Sequence, residues 1–244
     1  VGATILAIIL SFNTTACAKK YSRYEAEFLQ LFDTLTKIVA YTDSKEEFSK
    51  HVQLIYDNLK AYHELYDIYN DYEGINNIKT INDNAGIAPV KVDERIIDLI
   101  EYSKEWYERS QGKLNIALGS VLRIWHDYRA AGNENPEEAR LPSMEELKEA
   151  YEHTDINKVI IDKEASTVYL SDPEMSLDVG AVAKGYAVEM VCREAEEKGF
   201  KSLLVSVGGN VRAIGSKNEK GDPWAVGIQN PEGRDAGDIM TVSI

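Results

Sequence analysis

This chain of 244 residues predicts an α+β fold, with mixed or antiparallel sheets and helices packed against them. Segments with helical spacing of apolar residues follow recognisable caps. Short runs rich in β-branched and aromatic residues alternate with them. The two kinds follow no regular strand–helix–strand repeat, which disfavours a doubly wound parallel sheet.

Phe28 to Tyr41 reads as one strand, bent along its length, because β-branched and aromatic residues dominate it. Ser44-Lys-Glu-Glu47 has the spacing of a capping box, and Phe48, Val52, Ile55, Leu59 and Tyr62 then recur on one helical face up to Tyr66. His51 and His63 fall on the polar side of that helix, where solvated histidines are expected. From Asp67 to Val92 the sequence breaks at Gly74, Gly86 and Pro89. Asp93 caps a second helix to Ser110, stopped by Gly112, and Gly119 to Arg129 predicts a third. Asn133 to Pro142 is a loop, and Ser143-Met-Glu-Glu146 opens a short fourth helix. Val159–Ile161 and Thr167–Leu170 predict a hairpin. A strand ending near Asp178 is expected to feed directly into a helix from Ala181 to Lys198, closed by Gly199. Leu203–Val207 and Trp224–Ile228 read as strands, Gly208-Gly209 as a tight turn, and Thr241–Ile244 as part of another strand.

The chain carries 27 Lys+Arg against 41 Asp+Glu, a net charge of −14, so it has no basic field with which to bind nucleic acid or anionic lipid. A diphosphate ligand then needs local amides, a helix N-terminus or a cation. Of the two cysteines, Cys192 falls inside a helix and is expected to be a buried apolar residue. Cys17 follows the apolar run from Val1 to Leu10, and Ala16 precedes it. This matches the hydrophobic part of a secretory signal, and Cys17-Ala-Lys-Lys20 resembles a bacterial lipoprotein box, with Thr14 where leucine is usual. Residues 1–16 are therefore expected to be an incomplete signal, Cys17 a lipidation site, 17–27 a tether and 28–244 the folded domain. The implied location is the outer face of the bacterial cytoplasmic membrane or the periplasm.

Leu177-Asp-Val-Gly-Ala-Val-Ala-Lys-Gly-Tyr-Ala187 is the segment richest in chemistry. Asp178 at a helix entrance, Gly180 in the turn and Lys184 in the first helical turn would present free amides and a cation to a phosphate. Many strand–helix junctions carry Asp and Gly for capping alone. Gly208-Gly209 marks a place where backbone could approach a ligand or simply turn. Asn115 lies beside small residues ahead of a helix. Tyr66 and Tyr69 end the long helix, where rings could stack on a planar ligand or pack in the core. His126 and Asp127 read as part of a helix face.

In this order, Phe32-Asp-Thr34, Tyr66-Asp-Ile-Tyr69, Asn82, Leu114-Asn-Ile-Ala117, Asp178–Tyr186, Val207-Gly-Gly-Asn210 and Trp224–Ile228 resemble the ApbE family of FAD:protein FMN transferases. The resemblance runs over nearly all of residues 28–244 and implies an ApbE-like, T-fold-like architecture. It implies transfer of the FMN half of FAD to a Thr or Ser hydroxyl of a target flavoprotein, with release of AMP and with Mg²⁺ as cofactor. A flavin-binding lipoprotein and an Mg²⁺-dependent FAD pyrophosphatase are the alternative readings. By resemblance Phe32 would stand against the flavin in place of the usual methionine, and Tyr69 would stack on FAD. Asn115, in place of the usual Asp, would line the adenine or ribose side with Ile116 and Ala117. Gly208 and Gly209 would approach the cofactor, Asp178 and Lys184 would bind it and act catalytically, and the Ala181 carbonyl would ligate the metal. Family sequences continue into further strands that complete the metal site, so the chain is expected to be a fragment that binds FAD weakly and has little activity.

Overall fold

The computed structural model describes residues 21–218, 220–233 and 237–244. The expected signal and the lipidation site Cys17 lie outside the described residues. Strand β1 (Ser22–Phe28) pairs antiparallel with β2 (Thr36–Thr42), with Phe28 opposite Thr36. Two expectations are corrected here. The strand predicted over Phe28–Tyr41 is broken by a turn, and residues 22–27, expected as tether, form an edge strand. The reason for the second is an alternation at Tyr24, Ala26 and Phe28, whose side chains pack on the core. Tyr24 stacks on Phe48 and Phe28 meets Tyr56 edge-on, with centroids 5.5 and 5.1 Å apart.

Helix α1 (Lys45–Tyr66) starts where its Ser44 cap predicts, the hydroxyl accepting the Glu47 amide at 3.1 Å. Its histidines are not simply solvated: both are half-buried, and His51 stacks on Phe200 at 3.6 Å. Burial holds the His51 imidazole below its usual range. A short α2 (Ile78–Asp83) and β3 (Val90–Lys91) lead to α3 (Glu94–Arg109), capped by Asp93 as expected. α4 (Gly119–Glu134) runs further than predicted, and α5 (Met144–Tyr151) has the expected Ser143–Glu146 capping box. The hairpin β4 (Val159–Asp162) and β5 (Thr167–Leu170) forms as expected, and β3 joins it in a three-stranded antiparallel sheet.

Residues 175–179 form no strand and a turn begins at Gly180, which corrects the strand predicted to end near Asp178. They are followed by α6 (Ala183–Glu197), β6 (Ser202–Val207), β7 (Asn210–Gly215), β8 (Ala225–Gln229) and β9 (Asp238–Ser243). β6 lies antiparallel to β2, and the main sheet has the order β1-β2-β6-β7. Ile38 and Ala40 of β2 with Leu203, Val205 and Val207 of β6 are buried under α1 and α6. Cys192 is among the buried core residues of α6, its thiol pushed up to about 12 by desolvation. Gly208 and Gly209 make the two-residue turn between β6 and β7, both at positive φ (54° and 88°). A Cβ on Gly208 would meet Thr34 Oγ1 at 2.7 Å, so glycine there lets the hairpin sit against the turn preceding β2. Among the described residues no helix is long and apolar enough to cross a membrane.

Behind α5, buried Asp172 accepts from Lys158 Nζ at 2.6 Å, the Glu174 amide at 3.0 Å and His153 Nδ1 at 2.9 Å. Desolvation pushes its carboxyl up, but these donors outweigh it and hold it at about 2. A depressed carboxylate stabilises the fold above its unfolded value and loses that contribution as pH falls towards 2. Allowing for the partial exposure of Lys158, about 1–2 kcal/mol is expected to be lost between roughly pH 4 and pH 2. Urea unfolding at stepped pH checks this: Asp172→Asn should show a shallower acid dependence over that window, and parallel curves would refute the assignment.

Candidate functional site

The loops joining β1 to β2 and α1 to α2, with the segment entering α6, converge on one face. There they enclose a cleft of two adjoining lobes. The first, about 310 Å³, is lined by Phe32, Asp33, His63, Asp67, Tyr69, Asn70, Asp178, Val179, Gly180 and Lys184, among others. The second, about 590 Å³, is lined by Asn82, Asp83, Leu122, Arg123, Trp125, His126, Asp127, Arg129 and Ser176, among others. Ile68, Tyr69 and Asp178 line both, so they form the partition of one continuous cleft. Both volumes suit small-ligand sites.

Asp178 is held from both ends. Its amide donates to Ile116 O at 2.8 Å, and its Oδ1 accepts the Gly180 amide at 2.8 Å. Oδ2 has no hydrogen-bond partner among the described residues. The preceding Leu177 is fixed by Asn82, whose Oδ1 accepts the Leu177 amide at 2.7 Å and whose Nδ2 donates to the Leu177 carbonyl at 3.0 Å. No side chain caps α6. The Val182 and Ala183 amides donate to Val179 O, whereas those of Lys184 and Gly185 donate to no described residue. Lys184 forms no ion pair with any described residue. The entrance of α6 therefore presents unsatisfied N–H groups, a positive dipole end and a free ammonium.

The opposite wall is the end of α1. Asp67 accepts the amides of Tyr69 and Asn70 at 2.6 and 3.1 Å, Asn70 Nδ2 at 2.9 Å and the Tyr72 hydroxyl at 2.7 Å. Burial pushes the Asp67 carboxyl up, and these donors more than reverse it, holding it below the usual range. The resulting loop turns the Tyr69 ring outwards, 59% exposed, with its centroid 5.6 Å from His126. Desolvation, with the Asp178 charge second, holds the Tyr69 phenol above its ordinary value. Tyr66 also lines the first lobe but is buried, and its hydroxyl donates to Arg95 O at 3.0 Å.

Of the residues expected at the site, the structure brings together Phe32, Tyr69, Asp178 and Lys184. It does not bring Asn115, Ile116 and Ala117 to the lining of either lobe. The Asn115 amide is spent locally, accepting from the Ala117 amide and donating to Thr154 O, both at 2.9 Å. Ile116 and Ala117 are buried and act from beneath, through the Ile116 carbonyl that holds Asp178. Neither Gly208 nor Gly209 is among the residues lining the two lobes; Gly208 packs against Thr34 in the turn before β2, and Ala181 is exposed in the turn before α6. Residues that sequence reasoning passed over include Asp33, His63, Asp67, Arg123 and Arg129. For His126 the helix-face reading holds, but the face borders the cleft.

The chain is similar to proteins of known family. The model of the ApbE family matches residues 32–244. An FAD:protein FMN transferase of Treponema pallidum is 32% identical over 181 residues, covering 68% of this chain and 48% of the relative. A relative of the same name from Haemophilus influenzae is 24% identical over 243 residues, covering 93% of this chain and 64% of its own length. The chain thus spans between about half and two thirds of these relatives. The crystal structure of the ApbE protein from Thermotoga maritima superposes with a TM-score of 0.74 at 27% identity, covering 91% of this chain and 68% of that one. The flavin transferase ApbE from Vibrio cholerae shares the fold with a TM-score of 0.71 at 21% identity, over 92% of this chain and 68% of that one. With the motifs, the cleft and the fold in agreement, this chain belongs to the ApbE family.

Proposed function

We propose that the two-lobed cleft binds FAD and serves transfer of its FMN half to a Thr or Ser hydroxyl of an acceptor flavoprotein, with release of AMP. The observation that carries this reading is the partition of the cleft: Tyr69 and Asp178 divide two lobes beside the uncapped, amide-rich start of α6. An extended ligand with a ring at each end and a diphosphate between them fits that plan. The lobe with Phe32 and Tyr69 offers ring faces to the flavin. Lys184 and the free amides face the phosphates, and the lobe with Trp125 and Arg129 takes the AMP half.

In the transfer the acceptor oxygen forms a bond to the FMN phosphorus, the bond from that phosphorus to the AMP oxygen breaks, and the hydroxyl proton leaves to a base. Lys184 would counter the charge that gathers on the phosphoryl oxygens. The unengaged Oδ2 of Asp178 is the described oxygen best placed to accept the hydroxyl proton or to orient the substrate. Magnesium enters through the resemblance, where it would neutralise the diphosphate. Among the described residues no group of three or more His, Cys, Asp or Glu side chains is arranged to hold a metal, and Asp67 is saturated by its own donors. The described side chains do not by themselves make a cation site.

Export and lipid anchoring through Cys17 belong to the same proposal and rest on the sequence of residues 1–20. Two mass-spectrometric measurements test them. Mass spectrometry of an acceptor peptide incubated with the protein, FAD and Mg²⁺ should show a covalent FMN adduct with AMP released. Free FMN plus AMP would mean hydrolysis, and intact FAD would mean binding alone; either result from a chain extended to the relatives' length refutes transfer. The intact mass of protein from a lipid-modifying bacterial host should include a diacylglyceryl group at Cys17, and an unmodified Cys17 would refute the anchor.

A further inference from the structure

The wall of the Phe32 lobe contains a side chain for which the proposed transfer has no role. His63 is half-buried in the last turn of α1, and its Nδ1 accepts the Phe32 amide at 3.3 Å. Its Nε2 lies 3.4 Å from the Tyr72 hydroxyl, which donates to Asp67 Oδ2 at 2.7 Å. An amide only donates, so Nδ1 is the unprotonated nitrogen and the ring proton is assigned to Nε2. The imidazole packs edge-on against both Phe32 and Tyr72, with centroids 5.5 and 6.2 Å away.

The backbone that this bond reaches is strained. Phe32 and Asp33 have φ of 54° and 49°, and the Thr34 amide closes the turn on Leu31 O at 3.3 Å. Two successive left-handed residues form a turn that Asn and Gly normally fill, and bulky side chains persist there only where surroundings hold them. Leu31 anchors one end in the core, and the Gly208 amide takes Leu35 O at 3.0 Å just past the other. Among the described residues, His63 is the only side chain that accepts from the backbone of residues 31–34.

We propose that His63 is a positioning residue: through Nδ1 it sets the Phe32–Asp33 wall of the lobe, and through Tyr72 and Asp67 it ties that wall to the Tyr69–Asn70 wall opposite. The spacing of the two walls, and with it the fit of a planar ring between Phe32 and Tyr69, then depends on one imidazole. The identity of that ring as a flavin rests on the function proposed above. The coupling of the walls does not.

Conservative variants separate positioning from packing. His63→Asn places an acceptor oxygen near the Nδ1 position, His63→Gln extends its polar head towards Nε2, and His63→Leu has neither. Hydrogen exchange of the Phe32 amide, read by NMR in the ligand-free full chain, reports the bond without FAD. Flavin fluorescence reports FAD affinity separately. With a neutral hydrogen bond as the determinant, His63→Leu and His63→Gln should each exchange Phe32 about tenfold faster and bind FAD about tenfold more weakly. His63→Asn should stay within about threefold of the parent on both measures. Tyr72→Phe, which keeps Nδ1 free to accept, should leave Phe32 protected while weakening FAD. Should His63→Leu fail to fold, the comparison of His63→Gln with His63→Asn carries the test. Unchanged Phe32 exchange in the variants lacking the Nδ1 acceptor overturns the proposal, as does His63→Asn failing equally with His63→Gln. If the exchange pattern holds but the parent binds no FAD, the FAD reading of the lobe falls and the His63–Phe32 coupling stands.

Discussion

Asn82→Ala is expected to destabilise the chain by about 2–4 kcal/mol, since it strips a buried backbone N–H and C=O of their partners at once. Leu177 is fully buried, and the Asn82 amide bonds both its N–H and its C=O, standing in for a neighbouring strand. For a domain of this size the loss corresponds to a fall in melting temperature of roughly 5–15 °C. The local consequence is greater than the global one. Residues 176–178 would remain pinned only through the Gly119 amide to Ser176 O at 3.0 Å and the Asp178 amide to Ile116 O at 2.8 Å, so Asp178 would drift from the partition of the cleft. FAD affinity should therefore fall even below the melting transition. Asn82→Asp keeps the acceptor for the Leu177 amide but sets a carboxylate against the Leu177 carbonyl, and it should fare no better. Calorimetry with a parallel FAD titration decides the matter, and a melting point within a degree of the parent would sink the claim.

The contrast between Asn82 and its neighbours explains what the sequence could reveal. Ser44, Asp93 and Ser143 were legible as caps because a cap bonds an amide two or three residues away, and short-range chemistry leaves a short-range pattern. The Gly208-Gly209 turn was legible for the same reason. The break at Phe32-Asp33 was not, because a left-handed backbone is unusual for Phe and the apolar run around it has strand composition. The segment ending at Asp178 has the composition of a strand, but its partners are a helical side chain and the carbonyl of Ile116, which lie 95 and 62 positions away in the chain. Asn115 is the converse case. A polar residue beside small ones suggested a ligand contact, yet both ends of its amide serve backbone groups. That Asp178 and Lys184 share one lobe was legible because the turn and helix start that place them are contiguous. The facing wall of His63 and Asp67 was not, since its relation to α6 exists only in the folded chain.

Lys184→Ala is expected to weaken FAD binding by about 10- to 100-fold, the equivalent of one charge-assisted hydrogen bond to phosphate. The lysine is the one Lys or Arg lining the lobe that holds Phe32, where Asp33, Asp67 and Asp178 supply negative charge. With a protein net charge of −14, no distant basic surface compensates for its removal. It forms no ion pair with a described residue, so truncation should cost the fold little, and the effect should appear in affinity rather than in melting temperature. Backbone amides at the start of α6 survive the substitution, which is why binding should weaken rather than vanish. Riboflavin provides the control, because it has the ring system and no phosphate. If Lys184 acts on the diphosphate, the variant should bind riboflavin as the parent does while losing FAD, and added salt should weaken FAD binding more in the parent than in the variant. Lys184→Arg keeps the charge on a longer, planar group and should recover part of the loss. Equal losses for FAD and riboflavin would instead place Lys184 against the flavin ring and remove the diphosphate from the entrance of α6.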